Sequence, residues 1–207
     1  ASHSIGSSRH EEPSGSCKWS DIAVFSFHPV KMITTGEGGM ALTNNEEYAK
    51  KMDLFRSHGI TRDSSLLEKK DLPKYYYEQH ALGFNYRLSD LAASLGTTQL
   101  SKLNDFIQKR RSLAERYFNL LGNSHLELPD PKYLTSSAWH LFIVSVPGCR
   151  HSRDEIFETM RSRHVGVNLH YPPVHLQPFY RERGFNPGDF PVAETYAQRA
   201  ITLPLHP

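Results

Sequence analysis

Apolar and polar positions alternate over residues 21–27 (DIAVFSF), where Ile22, Val24, Phe25 and Phe27 are strong β-formers. That pattern predicts a buried strand. Residues 28–39 break it and predict a loop with one lysine, Lys31, and three glycines, Gly36, Gly38 and Gly39. Residues 40–43 are apolar again and predict a second short strand. Asn44 or Asn45 then stands where a helix cap belongs, with Glu46 and Glu47 in the first turn and Tyr48, Met52 and Phe55 at helical spacing up to a stop at Gly59. Residues 61–79 are charged and tyrosine-rich and read equally as a loop beside a cleft or a subunit contact and as a solvated surface loop. A long helical pattern starts at Ser89 or Asp90 and runs through Leu103, Phe106, Ile107, Leu113, Tyr117 and Leu120, with Gly96 and the two following threonines placed to bend or break it.

The second part of the chain reads as strand, helix, strand. Residues 139–146 (WHLFIVSV) predict a strand, Ser152 caps an amphipathic helix carrying Ile156, Phe157 and Met160, and residues 167–171 predict another strand closed by Pro172 and Pro173. The loop at 123–137, with Pro129 and Pro131, is the crossing between domains, so residues 1–122 and 123–207 are the expected units. Residues 1–20 are polar and serine-rich, and taken alone read as a flexible tail.

The 207 residues are enough for a sizeable core, and 38% hydrophobic with 22% charged residues is ordinary for a globular chain. A net charge of +2 gives no reason to expect nucleic acid or a membrane surface as a partner. No apolar run is long enough to span a bilayer, and a cytoplasmic location is expected. Cys17 and Cys149 are far apart and fit no zinc spacing; a single disulfide and two thiols in a reducing compartment suit them equally. His170, His175 and Gln177 lie on a proline-rich stretch whose spacing matches no metal pattern, so no metal is expected.

The chemistry centres on Lys31. By residue type alone it is either a loop lysine reaching solvent or an amine held between apolar strands, where loss of a proton makes it a nucleophile towards carbonyls. Ser26 stands five residues earlier near the strand end, where a hydroxyl can face a phosphate. The TTGEGG run at 34–39 supplies hydroxyls and close backbone approach, but it is not a P-loop, since no GxxxxGK[ST] is present.

SFHPVK followed by TTGEGG resembles the Schiff-base segment of the DegT/DnrJ/StrS family of nucleotide-sugar aminotransferases, and most resembles the branch that aminates a UDP-linked 4-keto sugar for pseudaminic acid. Three further stretches carry the likeness: ASHSIGS at the start, GFNYRLSDLAASLGTTQL at 83–100, and NLHYPPVHLQPFY with FPVAETYAQRAITLPLHP towards the end. The resemblance implies an α/β chain of the fold-type I, aspartate aminotransferase-like class, comprising the C-terminal part of the large domain and a small α+β domain. It implies pyridoxal 5′-phosphate (PLP) as cofactor, with pyridoxamine 5′-phosphate as its intermediate form, and Lys31 as the catalytic Schiff-base residue. Ser26 and Asn85 would hold the phosphate, Asn85 across a homodimer with a shared active site. His3 would lie against the cofactor ring, and Arg87, His170 and Tyr171 at the substrate cleft. The substrates implied are a UDP- or dTDP-linked keto sugar and, as amino donor, glutamate.

The family aspartate that pairs with the pyridine nitrogen would fall one residue before Ala1. The likeness covers about the second half of a family member, so the chain reads as a fragment. Two other readings stand beside the aminotransferase: a non-catalytic binding or dimerisation remnant, and a PLP-dependent sugar dehydratase, in which the lysine is typically replaced by histidine. A histidine-based metal hydrolase is a third.

Overall fold

The serine-rich start does not behave as a tail. In the computed structural model, which describes residues 1–147 and 151–206, β1 (Ser8–Arg9) and β2 (Glu12–Pro13) form a small antiparallel hairpin. Gly15 follows in the left-handed region at φ 95°, and a Cβ there would lie 2.8 Å from the Phe25 ring and 2.9 Å from Leu42. Glycine is therefore what lets this hairpin close over the next two strands. Cys17 is a free thiol that donates to the Leu42 carbonyl; Cys149, the other half of the disulfide alternative, lies outside the described residues.

Chain contacts divide the protein into two units, Ala1–Asn104 and Asp105–Pro207. In the first, β3 (Ala23–Ser26) pairs antiparallel with β4 (Gly39–Leu42), from Ala23 opposite Leu42 to Ser26 opposite Gly39. The expected strand is one-faced rather than wholly buried. Ala23, Phe25 and Phe27 are buried, while Ile22 and Val24 are exposed, the period-two outcome for a strand with one covered side.

Helix α1 (Glu46–Arg56) is capped by Asn45, whose side chain accepts from the Glu47 and Tyr48 amides. At its other end Gly59, at φ 70°, donates to the Leu54 carbonyl, and a Cβ there would stand 1.8 Å from the Ala81 carbonyl oxygen. The Phe55 and Arg56 carbonyls, which have no partner within the helix, accept from Phe84 and Tyr86 at 2.7 and 2.9 Å. The segment carrying Asn85 and Arg87 is thereby tied to the end of α1.

Strands β5 (Ile60–Thr61) and β6 (Glu78–Gln79) pair antiparallel and close the tyrosine-rich loop into a long hairpin. Glu78 fastens it. Its carboxylate accepts from the Glu68 and Lys69 amides at 2.7 and 3.0 Å and from the Tyr76 hydroxyl, and pairs with His80 at 2.9 Å. The Lys69 and Glu68 amides, with smaller help from His80 and Tyr76, bring its pKa from 4.5 to about 2. A carboxylate depressed in the folded state stabilises that state above its ordinary pKa and loses the contribution as pH falls towards the depressed value. Amide exchange over residues 66–80 is therefore expected to accelerate between about pH 4.5 and pH 2, beyond the intrinsic pH dependence, and Glu78→Gln should flatten the effect.

The long helical pattern resolves into α2 (Asp90–Leu100), capped by Ser89, and α3 (Leu103–Leu121). The helix runs through Gly96 and breaks later, where the Thr97 and Thr98 hydroxyls have donated back to the Ala93 and Ser94 carbonyls.

In the second unit, β7 (Phe142–Ser145), α4 (Arg153–Ser162), α5 (Pro178–Arg181), α6 (Pro191–Arg199) and β8 (Ala200–Leu203) follow in order. α4 starts on a capping box between Ser152 and Glu155. β7 pairs antiparallel with β8, from Phe142 opposite Leu203 to Ser145 opposite Ala200. Two strand expectations change here. The strand expected at 139–146 begins only at Phe142, because Trp139 sits at φ 50°, outside extended geometry. The strand expected at 167–171 does not form. Asn168 makes a single bridge to Thr202, and the ladder cannot extend through Pro172 and Pro173, which have no N–H. The strand that fills the place beside β7 is β8, wholly buried.

The core of this unit gathers Ala114, Trp139, Phe142, Val144, Val167, Ile201 and Leu203, with α3 and α4 packed against it. Arg110 is buried and donates to three carbonyls, those of Trp139, His140 and Leu205, the last at 2.7 Å. Those bonds hold the sharp backbone at Trp139 against the chain beyond β8 and supply the partners that a buried guanidinium requires.

Candidate active site

Lys31 lies in the loop between β3 and β4, half-buried, after exposed Val30 and before Met32 and Ile33, which are 4% and 3% exposed. The two apolar neighbours anchor the loop, and the lysine is left at its rim. Its backbone N–H donates to the His28 carbonyl at 2.9 Å, closing a turn. Among the described residues its Nζ has neither a carboxylate nor a hydrogen-bond partner. Ser26 ends β3, and its hydroxyl receives only a long contact, 3.5 Å, from the His28 amide. Ser26 and Lys31 are thus joined through His28, whose ring Nδ1 accepts from the Val30 amide and whose Nε2 faces Glu37 at 3.8 Å.

The threonine hydroxyls of the TTGEGG run are engaged within the loop. Thr34 Oγ1 donates to the Phe27 carbonyl and accepts from the Gly36 amide, and Thr35 Oγ1 donates to the Glu37 carbonyl at 2.8 Å. Their hydroxyls close the loop on itself. Gly39 lets β4 come close to β3: a Cβ there would stand 2.6 Å from the Phe25 carbonyl oxygen.

Asn85 and Arg87 are exposed on the segment tied to α1, and neither side chain has a partner among the described residues. Leu88, beside Arg87, reaches the loop: a Cβ on Gly38 would be 3.0 Å from its methyl. His3 is half-buried in the turns that begin the chain, where Ser4 donates to Ala1 and Ser7 to Ser4. His170 and Tyr171 belong to the second unit. His170 Nδ1 meets Thr202 Oγ1 at 2.8 Å, the Tyr196 hydroxyl donates to its carbonyl, and the exposed Tyr171 ring packs edge-on against it.

His175, weighed in sequence as a metal ligand, is instead bound to Glu194 at 2.8 Å. That contact, with the Gly188 amide behind it, holds the Glu194 carboxyl below its usual range. Among the described residues no group of three His, Cys, Asp or Glu could hold a metal ion, and no helix is long and apolar enough to cross a membrane.

The loop between β3 and β4 thus presents a primary amine without a partner among the described residues, a strand-end hydroxyl and a glycine-rich return. Comparison with known proteins gives the family. The profile of the DegT/DnrJ/EryC1/StrS aminotransferase family matches residues 1–207, and the chain belongs to that family. An uncharacterised protein of Methanocaldococcus jannaschii is 36% identical over 214 residues, covering all of this chain and 54% of that one. The UDP-4-amino-4,6-dideoxy-N-acetyl-beta-L-altrosamine transaminase of Campylobacter jejuni is 37% identical over 191 residues, covering 88% and 46%.

Among solved structures, Helicobacter pylori PseC, an aminotransferase involved in pseudoaminic acid biosynthesis, superposes with a TM-score of 0.86 at 31% identity, covering 100% of this chain and 53% of that chain. A Streptococcus pneumoniae protein assigned as a sugar aminotransferase superposes in its PLP form with a TM-score of 0.87 at 30% identity, covering 100% and 52%. Its PMP form gives the same score. The fold is that of the PLP-dependent aminotransferases of this family, and the chain spans about half the length of the relatives it matches.

Proposed function

We propose that this chain carries the cofactor-anchoring half of an aminotransferase that uses PLP to place an amino group on C4 of a nucleotide-linked 4-keto-6-deoxy sugar. The observation that carries this is Lys31: a half-buried loop amine without a partner among the described residues, one turn from the Ser26 hydroxyl. The donor set suits the group, since an amine can hold an aldehyde carbon and a hydroxyl can donate to a phosphate. Lys31 would hold the cofactor's aldehyde, Ser26 its phosphate, Asn85 the phosphate of a second copy in a homodimer, and His3 its ring. When bound, PLP supplies an electron sink that lets the nitrogen of an amino acid pass to a keto group.

The chain's own part is to hold and move protons. Lys31 Nζ, once free, is an amine at a loop rim, between exposed Val30 and buried Met32, that would take a proton and return it to a neighbouring carbon. Asn85 and Arg87, exposed and unpartnered among the described residues, offer an amide and a guanidinium for phosphate groups. His170 and Tyr171 offer hydrogen bonds to a sugar. Glutamate as amino donor and a UDP- or dTDP-linked sugar as acceptor follow from likeness to the family. The UDP-linked sugar in the name of the Campylobacter relative supports the UDP-linked choice.

Borohydride reduction in the presence of PLP, followed by peptide mapping, tests the reading. The label is expected on the peptide containing Lys31; a label on other lysines with Lys31 unmodified would end it.

A further inference from the structure

Thr35 is 5% exposed and its small side chain is gripped from three sides within the first unit. Its hydroxyl donates to the Glu37 carbonyl at 2.8 Å. A Cβ on Gly38 would stand 2.3 Å from that same hydroxyl oxygen. On the third side is α2, where a Cβ on Gly96 would lie 2.7 Å from the Thr35 methyl. Real Cβ atoms do not come so close, and a β-branched side chain has little rotamer freedom with which to yield. Two glycines therefore leave room for one threonine, and the threonine joins α2 to the loop. The main-chain neighbours of Thr35 complete the connection: its amide donates to the Phe27 carbonyl at 3.0 Å, and Phe27 donates to the Gly38 carbonyl at 2.8 Å. Phe27 adjoins Ser26, and Lys31 lies on the same loop.

We propose that Thr35 is a positioning residue that fixes the Lys31 loop through two separate contacts, the hydroxyl setting the 35–37 turn and the methyl registering the loop against Gly96 of α2. The relevance to cofactor anchoring rests on the reading of Lys31 given above; the mechanical claim does not. Neither contact touches a ligand. Their effect is to set where the amine at 31 and the hydroxyl at 26 stand relative to each other, and small misplacements of such groups slow reactions by large factors.

The test uses the 207-residue chain with Thr35→Val, Thr35→Ser, Gly96→Ala and the Gly96→Ala/Thr35→Ser pair. Two quantities are measured: amide exchange over residues 26–40, and the rate of borohydride-trapped PLP labelling at Lys31. Thr35→Val keeps the shape and loses the donor, so exchange in the loop should rise by about 5- to 10-fold, the loss of one net hydrogen bond, and labelling should slow. Thr35→Ser keeps the donor and should stay closer to wild type than valine.

Gly96→Ala should loosen the loop, and the added Thr35→Ser, which removes the methyl it strikes, should restore it. That rescue is a size exchange that a general loss of stability cannot imitate. Wild-type exchange in Thr35→Val, or a double variant worse than the sum of its singles, would overturn the proposal. So would exchange rising equally across the whole unit. If wild type is not labelled at Lys31 while the exchange pattern appears as described, the clamp stands and the cofactor reading falls.

Discussion

On the proposed reading, Lys31→Ala is expected to abolish the borohydride-stable PLP adduct and to lower aminotransferase turnover by about 10³-fold or more. The loss combines the removed covalent anchor with the removed proton carrier, and general acid–base groups alone contribute roughly 10²- to 10⁴-fold. Lys31→Arg should do the same, because a guanidinium keeps the charge but does not deprotonate to a nucleophile. Stability should hardly change. Lys31 is at a loop rim with no partner among the described residues, and such substitutions usually stay within about 0.5 kcal/mol. Equal trapping in Lys31→Ala, read by intact mass and absorbance after gel filtration, would remove the lysine from the chemistry. A collapse of the melting midpoint would show that the side chain serves the fold instead.

The largest structural effect is expected at Phe142. Its side chain is fully buried, and its ring meets those of Tyr117, Phe118 and Trp139 with centroids 4.9, 5.3 and 5.5 Å away. Phe142→Ala removes the hub of that cluster and should cost about 3–5 kcal/mol. Whole domains are stable by only about 5–15 kcal/mol, so the second unit should melt at a much lower temperature or fail to fold. Phe142→Leu, closer in volume, should cost markedly less. Near-ultraviolet circular dichroism follows this directly, because the cluster includes Trp139. A midpoint within a few degrees of wild type for the alanine variant would contradict the assignment of Phe142 as the packing centre.

Much of the organisation was legible in local chemistry. Asn45, Ser89 and Ser152 cap the helices whose starts they mark, because a cap needs only its own side chain and the next few amides. The β3–loop–β4 unit was legible for the same reason, since alternation and glycine placement act over a few residues. What escaped was set by distant partners. β8 has no signal of its own strong enough to separate it from the helix before it, and it becomes a strand because β7 offers an edge. The expected strand at 167–171 had suitable residues but joins β8 only through the Asn168–Thr202 bridge, with Pro172 and Pro173 following. The TTGEGG hydroxyls were readable as a set of donors, but their direction depends on carbonyls at Phe27 and Glu37 that only the folded loop presents. At the candidate site, Ser26 and Lys31 were singled out by a motif, whereas the grip of Gly96 on Thr35 joins positions too far apart for spacing to suggest it.

The guanidinium of Arg110 recognises main-chain oxygens at Trp139, His140 and Leu205, and such atoms are the same whatever residue bears them. Exchanges at positions 140 and 205 can therefore drift across descendants without any compensating change at 110. Correlated-substitution methods should be blind to this tie, and its importance should surface only when the arginine itself is replaced.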